Sequence, residues 1–126
     1  VLQHSVGERA SAERTLAEGL RRCPQSPGLH LLNAQRLRDA NRIGEAITAF
    51  QTSIRLRPNE PEAYLELGNV LIRLGREAEA VRHYRTAWEV EPGNPAALSL
   101  LTFHAITTGD RTDAQRWMAQ VALQPR

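Results

Sequence analysis

Four histidines (His4, His30, His83 and His104) and one cysteine, Cys23, are the only soft metal-ligand candidates in this 126-residue chain. A transition-metal centre needs several such groups brought together, usually through close pairs such as CxxC, HxxxH or HExxH. None of these pairs occurs. Ser5, Ser11, Ser26, Ser53 and Ser99 lie outside any nucleophile-elbow context. Carboxylates are plentiful, yet Glu62 with Glu66 and Glu77 with Glu79 open amphipathic stretches, where negative charge complements the unpaired amides of a helix start. No glycine-rich phosphate loop follows a strand pattern. These residue types give no active site, metal site or cofactor cradle, and the expectation is a chain that is not an enzyme.

What positions these side chains is a period of 34 residues. Ala12, Ala46, Ala80 and Ala114 fall on it, as do Gly7, Asn41, Gly75 and Gly109, and the larger series Leu16, Phe50, Tyr84, Met118. Pro27, Pro61 and Pro95 form a further series and Pro24, Pro58 and Pro92 another, leaving only Pro125 outside. Proline costs nothing at the first position of a helix and stops one just past its end. Glycine and asparagine tolerate the left-handed backbone that closes a helix. Alanine and Gly68 would let paired helices approach closely, with Tyr84 filling the space beyond Ala80 on the same face.

The pattern predicts helices over 8–22, 28–40, 44–56, 62–74, 77–90, 96–107 and 111–123, with residues 1–6 the tail of an earlier helix. Ala12, Leu16 and Leu20 are the expected inner stripe of the first. Ala114, Trp117, Met118 and Val121 are that of the last, whose polar outer face suits the end of an array. His30 and Asn33 share a face where apolar residues would be expected, each to be satisfied by a neighbouring carbonyl or by the other.

Tyr64, Leu67, Gly68, Leu71, Ala80, Tyr84, Ala87 and Pro92 resemble the tetratricopeptide repeat signature, with Leu71 in place of an aromatic. Neighbouring units match less completely: His30, Asn33, Ala34, Leu37, Ala46, Phe50, Ser53, Pro58 before it, and Leu98, Leu101, Thr102, Ala105, Ala114, Met118, Val121 after it. The resemblance implies an all-α fold, an α-α superhelix (solenoid) of three helix-turn-helix repeats (27–60, 61–94, 95–126) preceded by a partial repeat (1–26), seven main helices in one domain. With no initiator Met and a helix cut at residue 1, the chain reads as a piece of a longer protein.

In that family the leading helix of each repeat lines a concave surface. The resemblance places there His4; Leu31, Gln35 and Arg38; Leu65, Asn69, Ile72 and Arg73; and Ser99, Phe103 and Ile106. Apolar residues at positions expected to face outward mark an interaction surface. The equivalent amides Gln35 and Asn69 suit the backbone of an extended peptide. Leu31, Gln35, Glu66, Ala96 and Leu100 stand where the chaperone-tail-binding members carry their two-carboxylate clamp, so that specificity is not expected.

The formal charge of +2 gives no electrostatic case for nucleic acid or an anionic membrane, and no apolar run approaches the ~18–20 residues of a membrane span. All sixteen basic residues are arginine, an association with GC-rich bacterial genomes rather than a physical necessity. One cysteine excludes an internal disulfide and is compatible with a reducing compartment, hence the cytoplasm before the periplasm. The functional expectation is a scaffold that binds a protein or peptide in the groove. An accessory segment of a larger transferase or peptidase is the alternative, and self-association through exposed terminal helices a further partner mode.

Overall fold

The computed structural model describes residues 2–123, with side chains from residue 10 onward; His4, Pro125 and Arg126 lie outside the side chains described. The described residues form α1 (Leu2–Arg22), α2 (Pro27–Asp39), α3 (Ile43–Leu56), α4 (Pro61–Arg73), α5 (Glu77–Val90), α6 (Pro95–Thr108) and α7 (Arg111–Leu123), with no strand among them. None of these helices is long and apolar enough to cross a membrane. The chain divides into two compact units, Val1–Pro58 and Asn59–Arg126.

Helix starts and stops follow the punctuation of the sequence. Pro27, Pro61 and Pro95 are each the first residue of a helix. Ser26 caps α2 by accepting from the Leu29 amide at 3.3 Å, and Asn94 caps α6 by accepting from the Ala97 amide at 3.0 Å. Asn41, Gly75 and Gly109 take left-handed φ values of 63°, 77° and 77° at the hairpin turns. Gly7 does not follow its series. It lies inside α1, which runs unbroken from Leu2, so the expected helix tail and following helix are one element. A glycine in a helix interior costs only about 1 kcal/mol relative to alanine.

In the first unit, α2 and α3 pack as a hairpin around Ala34, Ala46, Ala49 and Phe50, all buried. Ser53, the one polar residue in this core, donates to the carbonyl of Pro27 at 2.9 Å, which satisfies its hydroxyl. His30 donates to the Pro24 carbonyl at 2.8 Å rather than pairing with Asn33. α1 lies against α2, where Leu16 is buried and Gly19 leaves room for Leu29.

In the second unit, α4 and α5 close around Tyr64, Leu67, Val70, Leu71, Ala80, Tyr84 and Ala87. α6 packs on α5, with Leu98 and Leu101 buried, and α7 follows on α6. Here the expected inner stripe of α7 is corrected. Trp117 is buried, but Met118 and Val121 are 55% and 49% exposed and Ala114 is half-buried. The residues equivalent to Met118, Phe50 and Tyr84, are 0% and 2% exposed. The cause is at the helix crossing: where α2 has Ala34 and α4 has Gly68, α6 has the branched Thr102. α7 instead turns Trp117 inward, edge-on to Trp88 of α5 with ring centroids 5.3 Å apart.

Candidate functional site

Each unit carries its own candidate residues: α2 those of the first, α4 and α6 those of the second. On α2, Leu31, Gln35 and Arg38 stand at i, i+4 and i+7 and all are half-buried. Arg38 donates through Nε to Asp39 at 3.2 Å, and Gln35 is likewise engaged within the protein. On α4, Leu65 is half-buried while Asn69, Ile72 and Arg73 are exposed. On α6, Ser99, Phe103 and Ile106 are exposed, Phe103 by 67% and Ile106 by 56%.

Asn69 is more constrained than its sequence position conveys. Its Oδ1 accepts a 2.6 Å hydrogen bond from the hydroxyl of Tyr84, whose ring is buried against Gly68. One end of the amide is thereby committed inside the α4–α5 hairpin, and its nitrogen is left to donate outward. Asn69→Ala should therefore cost about 1 kcal/mol, because it orphans the Tyr84 hydroxyl. Asn69→Asp, which keeps the acceptor, should melt close to the parent. Thermal denaturation of the two variants checks this.

His83 of α5 stacks on Tyr64 of α4 with centroids 6.2 Å apart. Burial, reinforced by the neighbouring Arg82 and opposed by Glu79, holds its pKa below the ordinary histidine value. The unfolded chain thus binds a proton in a range where the folded one does not. Stability from this group is complete above the unfolded value of about 6.5 and is lost as pH falls below it. Urea midpoints at pH 7.5 and 5.5 should drop for the parent and drop less for His83→Phe, which keeps the stack without the titration. Burial first, then Glu66 and Glu60, raises the carboxyl of Glu62 at the start of α4, an effect that cancels in the comparison with the variant.

The other charges are structural. Arg42 forms a two-bond pair with Glu45 at 3.1 and 2.6 Å, and Arg76 repeats it with Glu79 at 3.2 and 2.7 Å. Exposed pairs of this kind contribute roughly 0–1 kcal/mol. Among the described residues no group of three His, Cys, Asp or Glu side chains could hold a metal ion.

Helical hairpins set in a 34-residue register define a helical repeat protein of the protein-interaction class. The tetratricopeptide repeat family model matches residues 31–100, and a second tetratricopeptide repeat model matches residues 75–126. The chain belongs to the tetratricopeptide repeat family, and its fold is the all-α repeat fold of that family. Two crystal structures of MamA superpose with TM-scores of 0.79 and 0.76 at 20% identity. Both cover 93% of this chain, which spans 68% and 64% of theirs, about two thirds of their length. At that identity the likeness establishes the fold. No match was found among curated proteins.

Proposed function

We propose that this chain is a non-catalytic scaffold that binds a peptide or protein segment on its leading helices, foremost on the exposed residues of α4 and α6 in the second unit. The observation that carries this reading is the exposure of Phe103 and Ile106 on α6. Large apolar side chains clustered on one surface are the ordinary mark of an interaction site. Ile72 and the half-buried Leu65 add apolar surface on α4, and the outward nitrogen of Asn69 supplies a donor for a peptide carbonyl. α2 offers Leu31, Gln35 and Arg38 at the equivalent positions of the first unit. Arg73, exposed in the last turn of α4, suits an acidic side chain of the ligand.

The test pairs Phe103→Ser with Ile106→Ser. Both side chains are already exposed, so the double variant should melt with the parent while losing the protein that the parent retains in a pull-down. Retention of the same protein at undiminished yield would sink the reading. The structure also changes the choice of variant: Asn69→Ala, attractive from the sequence, confounds binding with the lost Tyr84 bond.

A further inference from the structure

Beyond its first turn, the face that α7 turns to solvent carries no charge. Ala114, Met118 and Val121 stand at i, i+4 and i+7 along its middle, and Gln115, Ala119 and Ala122 flank them. With Arg111 at the start of the row, the spacing runs three, four, three, the spacing of a seam between two helices. A helix surface left to water ordinarily carries charged side chains, and a repeat array ordinarily ends on a polar face. The charges of α7 are gathered elsewhere: Asp113 holds Arg85 of α5 at 2.7 Å and Arg116 at 3.7 Å.

Beside this seam the α6–α7 hairpin leaves a hollow of about 210 Å³. Ala105, Ile106, Gly109 and Ala114 wall it, with Asp110 and Arg111 at the rim. One surface therefore carries both an apolar hollow and, a turn further along α7, the exposed unbranched side chain of Met118. Methionine is the side chain best able to fill an irregular apolar gap.

A two-fold axis brings the two features together. Let α7 of two copies cross antiparallel at Ala114, whose small side chain lets the helices come close. Met118, four residues after the crossing, then meets residue 110 of the other copy, four before it. Residue 110 is at the rim of that copy's hollow, and the reverse contact is identical, as a two-fold interface requires. The rim charges Asp110 and Arg111 are opposite and adjacent, and the chain as a whole has a formal charge of only +2, so two copies repel each other little. An unrelated protein would have to supply both knob and hollow, whereas a second copy of this chain already carries both.

We propose that this chain forms a two-fold dimer through α7, with Met118 of each copy seated in the hollow between α6 and α7 of the other. An interface of one helix and a hairpin edge belongs at the low end of interface sizes, so the dimer comes apart on dilution. It shares Ile106 with the ligand face and does not depend on ligand binding.

Sedimentation of the full chain over about a hundredfold range of concentration should show the mass rising from 14.1 kDa toward twice that value. Met118→Glu puts a charge on a side chain that is already exposed. It should raise the dissociation constant by about tenfold or more, with a parental far-ultraviolet circular dichroism spectrum. Phe103→Ser should leave the constant unchanged, which separates this interface from the ligand face. Disulfide trapping in a Cys23→Ser background gives a second, independent readout. Ala114→Cys should cross-link two copies, because a residue on the axis meets itself. Leu123→Cys, nine residues from the axis, should not. The monomer mass at every concentration, a Met118→Glu dimer as tight as the parent's, or equal cross-linking at the two positions would overturn the proposal. So would masses that climb past the dimer, since those mark end-to-end stacking.

Discussion

Trp117→Ala should unseat α7. Trp117 is 5% exposed and is the only side chain of α7 in the buried core, because Met118 and Val121 point outward. Its indole packs edge-on against Trp88, 5.3 Å between centroids. Truncating a buried aromatic costs roughly 3–5 kcal/mol, a large fraction of a small domain's stability. The charged tie of α7 to α5 among the described residues is the pair of Asp113 with Arg85, partly exposed and unable to replace that burial. Repeat arrays lose their ends before their middles, since each unit rests only on its neighbours. Amide exchange should therefore show α7 unprotected while α4 and α5 keep their protection. A variant in which α7 stays protected would show that Met118 and Val121 can take over its packing.

Gly68→Ala should cost the α4–α5 hairpin roughly 1–3 kcal/mol by overpacking, less the ~1 kcal/mol that alanine gains over glycine in a helix. A Cβ at this position would sit 2.9 Å from Tyr84 Cδ1, 3.1 Å from Cζ and nearer still to Cε1. The ring has nowhere to go: it is 2% exposed and anchored through its hydroxyl to Asn69. The net loss should appear as a lower thermal midpoint, and it should shrink in a Tyr84→Leu background, where the obstacle is smaller. A double-mutant cycle measures that coupling directly. Additive effects would mean that the crossing widens without strain. The natural variation along the chain points the same way. Ala34 still admits Phe50 fully, whereas Thr102 coincides with an excluded Met118.

From α2 onward the helix boundaries were legible in the sequence to within a residue because backbone chemistry sets them. Proline can only begin these helices, and Asn41, Gly75 and Gly109 can adopt the turn that ends them. The caps could also have been read: Ser26 and Asn94 each stand directly before a helix-starting proline. What the period could not convey was how a residue behaves when its partner changes. Gly7 sits on the same series as Gly75 yet continues a helix, since a turn forms only where two elements pack. Met118 sits on the same series as Tyr84 yet is exposed, and the position equivalent to Gly68 holds the bulkier Thr102. The bond from Tyr84 to Asn69 spans fifteen residues across a hairpin, and no local pattern announces it. The Arg85–Asp113 pair, at a separation of 28, likewise lies off the repeat spacing.

The chain has two tryptophans, and both belong to the α5–α7 junction. Indole emission is consequently a local gauge, sensitive to the seating of the last helix and blind to α1, α2 and α3. Far-ultraviolet circular dichroism averages over every helix instead. Melting curves from the two probes need not superimpose, and the gap between them would measure how independently the end of the chain comes loose.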